Sequence, residues 1–587
     1  MIDDSGKTVF TGKAELAKPD GALEQICIHE KQDYTKSVVY RMDFSAFDKP
    51  GQYRVFVPGI GTSGPLRIAE DAWEAPFKAA MQGILSQRQG VELGPPVCAF
   101  RRKRTFHPDD GVVFYQLDVP IQAGERGQGP KGLENACEDS LVRLSKAGAL
   151  KPTTVVPGGY QDAGDWITAS HHLSATYDLL GLYDLNPEAF THMKLVLPPE
   201  EGFDKLPDIL KEALWQMPMW KSLQLPDGGV RGGYVPGYVG YCYTGETSDM
   251  IKNALVYSVD HETTIRYAAS AARAARVLAA FDKRLSADYM ESAKRAWDWV
   301  EAHSKEDDEF FKQVLKFNKN LASSLRNPRA MAAVELLAAT KDPAYDAAFK
   351  QSTELTKDEL YMAQPDTDYA YARLPDGVGD PELKRKAANR IVTYADHAIA
   401  FSRNNAFDVV ASGRTDFPLI GPCHFFSTPA QGGPGQGGFT MIHAYELTKN
   451  PIYLAAAVQG SNYCLGSNPD NLSYCTGVGY NYQHFQFRLD ALTTGQMPDI
   501  LVGHIPYGQG NEGGPMSRDQ QWTQKWLLNY NGFKKMIPNW YDWPVNEQYI
   551  DYGVYPMQNE NCFNQTMAPA ACYWFYLHTR WAGGKIR

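Results

Sequence analysis

The chain has no run of about eighteen consecutive apolar residues, so none of it is long enough to cross a bilayer as a helix. It also lacks the basic start and apolar core of a secretory leader, its first residues reading MIDDSGKTVF. Positive charge is in deficit, with 58 Lys and Arg against 68 Asp and Glu and a net charge of −10. An acidic surface disfavours nucleic acid and anionic membrane as partners, because both present phosphate. Cysteine is sparse and unpatterned. Cys27, Cys98, Cys137, Cys242, Cys423, Cys464, Cys475, Cys562 and Cys572 contain no CxxC pair. An odd, scattered set reads as free thiols of a reducing compartment, so a cytoplasmic location is expected. No repeat with a fixed period of about 34–47 residues is visible, which disfavours an α-solenoid.

What the chain does hold is length and aromatic rings. Its 587 residues exceed one ordinary core, so at least two domains are expected. The 12 Trp, 33 Tyr and 26 Phe fill cores, and a minority of them suit the apolar faces of pyranose rings. Residues 1–72 carry short alternating runs at 37–44 and 51–57, punctuated by Gly and Pro, which predicts a small β-sandwich. From 73 to 587 the texture turns helical. Spacing predicts helices at 72–88, 171–181, 206–223, 260–281, 286–303, 326–340, 383–402, 436–448, 450–465 and 564–580. Sequential helices with little strand signal point to a helical toroid. The stretches 94–132, 224–258 and 467–520 read as long loops, and long loops in compact domains carry sites.

Two constellations carry chemistry. GGYQDAGDW, 158–166, sets Asp162 and Asp165 three residues apart around a glycine hinge. Close like charges raise each other's pKa and hold a water, which suits a general base; the same residues also suit an Asp-rich turn capping a helix. NENCFN, 559–564, places Glu560 among amides ahead of an apolar helix. Partial desolvation there would raise its pKa as a general acid requires, and a glutamate at a helix start is equally favoured by the macrodipole. Two carboxylates in separate loops are what glycoside hydrolysis uses.

Ordered along the chain are DFS at 43–45, GQY at 51–53, QRQGVEL at 87–93, GGYQDAGD at 158–165, LPDILKEA at 206–213, PDGGV at 226–230, YCLGSNP at 463–469, TGVG at 476–479 and NENCFNQTMAP at 559–569. Together these resemble glycoside hydrolase family 9, the cellulase family often carrying an N-terminal immunoglobulin-like domain. The resemblance implies a mainly α fold. An (α/α)6 barrel over 73–587 would be preceded by an immunoglobulin-like sandwich over 1–72. It implies an inverting mechanism with Asp165 as base, Asp162 helping to hold the water and Glu560 as acid. Tyr160 joins the substrate-binding residues, and in QHFQFR, 483–488, His484 and Arg488 stand where the family has its His-His-Arg segment. No cofactor is required. Calcium or zinc would be structural, with Cys98 and His107 as part of a zinc set.

The expected substrate is a short β-1,4 oligosaccharide trimmed from its non-reducing end. It would be a cello-oligosaccharide or a glucosaminide, with Glu547 and Asp551 as the carboxylates for an amine. An endo-β-1,4-glucanase and a catalytically silent sugar-binding protein are the alternatives. Either the 94–132 loop or the immunoglobulin-like domain would wall off one end of the cleft. The run Arg101-Arg102-Lys103-Arg104 reads as a solvated basic face.

Overall fold

The computed structural model describes residues 1–25, 31–117, 150–161, 166–198, 205–237, 251–316, 319–355, 365–408, 437–488, 501–508, 537–538, 542–551, 556–582 and 585–586. The chain opens in strands: β1 (Ile2–Asp3), β2 (Ala14–Lys18), β3 (Val39–Met42), β4 (Gly51–Arg54) and β5 (Leu66–Ile68). β4 lies between β1 and β5, antiparallel to both, with Tyr53 opposite Asp3 on one side and Leu66 on the other. β2 and β3 form a separate antiparallel ribbon with Leu16 opposite Tyr40. This β-rich start is fastened to the rest by polar contacts. Ala406 N donates to Glu24 Oε1 at 2.8 Å, and Asn546 Nδ2 donates to Thr35 Oγ1 at 2.8 Å.

Helices dominate from α1 (Glu74–Ser86) onward. They include α2 (Leu173–Leu185), α3 (Asp208–Leu214), α4 (Met217–Ser222), α5 (His261–Leu278), α6 (Lys283–His303) and α7 (Arg326–Thr340). Then come α8 (Pro381–Ser402), α9 (Gly437–Thr448), α10 (Pro451–Cys464) and α11 (Ala568–Arg580). α5 packs against α2, α6 and α7, and α11 against α1, α2 and α9. Composition explains the central place of α5. Ala268, Ala269, Ala271, Ala272 and Ala274 are all 0% exposed, and a helix that is small and apolar around most of its girth can be approached from several sides. Asp260 starts it by accepting the Thr263 amide at 2.7 Å. Arg273 then ties three helices together. Its guanidinium lies 3.4 Å from the Tyr177 ring centre and bonds Glu335 Oε1 at 2.8 Å through Nε. Burial alone would raise the Glu335 carboxyl, but Arg273 and Arg276 hold it below its ordinary value.

Most helices fall where their spacing placed them, 326–340 to the residue. The predicted helix at 206–223 breaks at Trp215, because Pro218 has no amide to continue the ladder and instead opens α4. A second difference is larger. Parts of the expected loops at 94–132 and 224–258 are strands β6 (Val113–Leu117), β8 (Tyr234–Pro236) and β9 (Asn253–Val256), joined by β7 (Leu150–Thr153) in the order β7-β6-β9-β8. β6 runs antiparallel to β7 and parallel to β9. Each is too short for an alternation signal, and their partners are remote in sequence.

One close approach fixes α1 against the 501–508 segment. Gly503 has φ +82, and a Cβ there would sit 1.6 Å from the Ala79 carbonyl oxygen. Gly503→Ala should cost roughly 2–4 kcal/mol in denaturant unfolding through strain and overpacking. Gly377→Ala, at φ +77 with nothing near its Cβ, should cost about 1 kcal/mol. Equal losses in the two variants would show that the contact is not tight.

Candidate active site

The segment leading to Asp162 and Asp165 is built as one flank of three antiparallel backbones, with QRQGVEL in the middle. Gln89 N donates to Gly159 O at 2.9 Å and Gln161 N to Gln87 O at 2.8 Å. On the other flank Leu93 and Arg102 exchange amide bonds of 2.8 and 3.0 Å. Gly159, at φ +86, turns the chain where an L side chain would be strained. Beneath these backbones Arg88 and Glu212 form a fully buried ion pair, with Arg88 Nη2 2.8 Å from Glu212 Oε2. Tyr160 Oη donates to Glu212 Oε1 at 2.8 Å, and Trp215 Nε1 donates to Gly159 O at 3.0 Å. Beyond the aspartate segment, Trp166 O accepts from Gln89 Nε2 at 3.3 Å. Both ends of the segment are therefore held by the same strand. Asp162 and Asp165 themselves lie outside the described residues.

Glu560 sits on a second small ladder. Tyr507 N donates to Glu560 O at 2.9 Å and Phe487 N to Asn559 O at 3.0 Å, so 487, 507 and 560 run side by side. Glu560 is partly exposed between fully buried Asn559 and Asn561. Asn559 Nδ2 is spent on Ile550 O at 2.8 Å and Tyr549 Oη at 3.1 Å, so it anchors the backbone beside the carboxylate. A five-residue π-helical turn, Phe563–Met567, follows and runs into α11. Such turns recur at functional sites. Asn564 Nδ2 reaches His171 O and Ser174 Oγ, each at 3.0 Å.

Two contacts bring these two ladders together. The Tyr160 and Phe563 rings stack with centroids 4.5 Å apart, joining the residue two before Asp162 to the one three after Glu560. Arg488 Nη2 donates to Gln161 Oε1 at 3.0 Å, and its neighbour Phe487 pairs with the Glu560 strand. His484 and Asp551 also meet. The Phe485 amide donates to Asp551 Oδ1 at 2.7 Å, the His484 amide binds the other oxygen, and His484 Nδ1 lies 3.7 Å from Asp551 Oδ2. Burial raises the Asp551 carboxyl above its ordinary value, and the two amides oppose that. Glu547, on the same 542–551 segment, is also raised by burial. Two expectations change place. Tyr160 is 2% exposed and Arg488 0%, so neither side chain faces the solvent a sugar would displace; both brace the loops instead.

Residues 122–570 match glycosyl hydrolase family 9. The chain belongs to glycosyl hydrolase family 9. It is 23% identical over 536 residues to the xyloglucan-specific endo-beta-1,4-glucanase BoGH9A of Bacteroides ovatus, covering 86% of this chain and 81% of that one. It is 22% identical over 518 residues to a cellodextrinase of Butyrivibrio fibrisolvens, covering 82% and 80%. A thermostable endoglucanase structure from Alicyclobacillus acidocaldarius superposes with a TM-score of 0.73 at 18% identity over 98% of this chain and 94% of its own. As a family 9 glycosyl hydrolase, the protein is a glycosidase that hydrolyses O-glycosyl bonds.

Other expected features of this family 9 hydrolase resolve locally. Cys98 donates its thiol to Phe100 O at 3.2 Å, and His107 Nδ1 accepts the Asp109 amide at 3.2 Å. Among the described residues no cluster of three His, Cys, Asp or Glu could hold a metal ion. The run 101–104 is not one solvated face. Arg102 turns inward at 5% exposure, and Arg104 pairs with Asp110 through Nη2 at 2.7 Å. The sequence reading missed Arg88, Glu212, Gln161 and His504. Arg88 lies in QRQGVEL, Glu212 in LPDILKEA and Gln161 in GGYQDAGD, while His504 belongs to none of the quoted motifs.

Asp551→Ala should lower kcat/KM about 30-fold or more while changing the unfolding temperature little, because two loop amides and His484 lose a charged acceptor. Asp551→Asn should keep part of the activity. Steady-state kinetics beside thermal unfolding checks both, and wild-type kinetics in Asp551→Ala would remove this residue from the site.

Proposed function

We propose that this family 9 hydrolase cleaves β-1,4-linked sugars with inversion, on an (α/α)6 barrel spanning 73–587 behind an immunoglobulin-like sandwich over 1–72. Asp165 takes a proton from water as that water attacks the anomeric carbon. Asp162 helps to hold the water. Glu560 gives its proton to the departing glycosidic oxygen, and the bond breaks in the same step. Base and acid carboxyls would stand roughly 6.5–9.5 Å apart, leaving room for the water. The observation that carries this reading is the double link between the two loops: Tyr160 stacked on Phe563, and Arg488 bonded to Gln161. Side chains supply both acid and base, so the scheme assigns no step to a cofactor.

For substrate, we favour short chains trimmed from the non-reducing end. The name of the cellodextrinase relative supports short substrates. The endo-glucanase names among the relatives support the competing endo reading. The β-rich start, bonded to Asn546 beside Glu547, is the element that would close one end of the cleft. A glucosaminide would need a free carboxylate. Asp551 is already engaged by two amides, which leaves Glu547 for that task. The cytoplasmic part of the reading draws support from Cys98, Cys475 and Cys572, which are buried free thiols.

Asp165→Asn should abolish turnover of natural and activated substrates alike. Glu560→Gln should abolish turnover of natural substrates but spare aryl glycosides with good leaving groups, which need less protonation. Equal loss on both substrates in Glu560→Gln would remove its role as acid, and an α-anomer as first product, followed by NMR, is required by inversion at a β-linkage. The chain-end assignment has its own test. Digestion of cello- and chitosan oligosaccharides of increasing length should release single sugars throughout. A rapid viscosity fall with mixed-length products would establish the endo reading instead.

A further inference from the structure

Tyr507 and Gln565 stand beside Glu560 and take no part in the proton transfers. Pro506 pairs antiparallel with Asn561, which sets Tyr507 opposite Glu560, and the Tyr507 amide donates to Glu560 O at 2.9 Å. Residues opposite each other in an antiparallel pair carry their side chains on one face, with Cβ atoms about 4.5–5.5 Å apart. Burial identifies that face. Pro506 and Asn561 are buried, whereas Tyr507 and Glu560 are both partly exposed. The strand of Tyr507 is itself fixed: Gly503 closes on α1, and Arg488 Nη1 donates to His504 Nε2 at 3.0 Å. Gln565 reaches the same place from the π-helical turn. Of the five residues of that turn, Phe563, Asn564, Thr566 and Met567 are buried and Gln565 alone is partly exposed. Tyr507 Oη donates to Gln565 Oε1 at 2.9 Å, which orients both side chains. The Gln565 amide nitrogen makes no bond to a described residue, so its N–H donors remain for a ligand.

A flat ring and an amide donor side by side match a pyranose, which has an apolar face and a rim of hydroxyls. The acid's place tells which pyranose. In inverting hydrolysis the water and its base stand on the face of the attacked sugar opposite the leaving group, so the neighbours of the acid border the leaving sugar. We propose that Tyr507 and Gln565 form the subsite for the leaving sugar of a β-1,4 oligosaccharide, the tyrosine ring lying against its apolar face and the glutamine amide donating to one of its hydroxyls. The proposal rests on Glu560 as acid. It adds the kind of leaving group that this chain is built to accept, a sugar ring rather than a small group.

A β-glycosyl fluoride presents the same sugar to attack but releases fluoride, which fills no such subsite. The test compares kcat/KM on cello- or chitosan oligosaccharides, whichever the wild-type chain cleaves, with kcat/KM on the β-glycosyl fluoride of the same sugar. Unfolding temperature serves as the folding control. Tyr507→Ala should lower the oligosaccharide value about tenfold or more and the fluoride value by less than about twofold. Gln565→Ala should lower the first about fivefold, the size of one lost hydrogen bond, and spare the second. Tyr507→Phe keeps the ring and should stay within about threefold of wild type on both. Should Tyr507→Ala not fold, Tyr507→Leu keeps bulk without the flat ring and should show the same split. Wild-type oligosaccharide kinetics, or equal losses on the two substrates, in whichever of these two variants folds overturns the proposal. Failure of the underlying assignment looks different. Wild-type oligosaccharide turnover in Glu560→Gln removes the acid and the subsite with it, whereas an inactive Glu560→Gln beside Tyr507 variants without the split dismisses the subsite alone.

Discussion

A fully buried ion pair, Arg88 with Glu212, is the fixed point from which the rest of the site is laid out. Neither charge can remain unpaired away from water, so the strand carrying one and the helix carrying the other must meet in a single register. Tyr160 adds its hydroxyl to the same carboxylate, and Trp215 places its ring 4.3 Å from the Arg88 guanidinium. The backbone ahead of the aspartates follows because Gln87 and Gln89 flank Arg88 and bond to Gln161 and Gly159. One pair of opposite charges thus decides where the backbone of Gly159 to Gln161 lies.

The helical body serves this arrangement by being tightly packed and slow to yield. Alanine-rich α5 lets its neighbours close in, and Arg273, the long polar side chain it carries inside, is spent on Glu335 and Tyr177. Rotamer-poor side chains packed at high density leave little room for the ladders above to slide. The site is built largely from irregular backbone, and a rigid floor is what allows irregular backbone to hold catalytic groups at a defined separation.

Local periodicity disclosed the long helices because each carries its own apolar pattern. It could not disclose the four-stranded sheet, whose strands gain meaning only from partners far away in the chain. Motif order pointed to Asp162, Asp165 and Glu560, and to His484 and Asp551, which the structure brings into contact. It misplaced Tyr160 and Arg488 for a physical reason. A tyrosine or arginine beside a catalytic residue reads as a sugar contact, whereas burial depends on what closes over it, here Phe563 and the Ser86 turn. Arg102 was hidden for the converse reason, since an arginine in a basic run reads as solvated until an inward partner such as Gln161 is seen.

The π-helical turn after Glu560 constrains length more than composition. A turn of this kind accommodates one residue more than its α-helical counterpart, and removing that residue would restore the regular ladder. Each residue of a helix advances the chain by about 100° around its axis. With α11 held in the core, loss of one residue between Phe563 and Met567 would therefore swing the upstream backbone by roughly a quarter turn and carry the Glu560 carboxyl off its bearing. In a lineage of such chains, side chains in this stretch could drift while its residue number stayed fixed, a signature visible as a gap-free column block even where no single position is invariant.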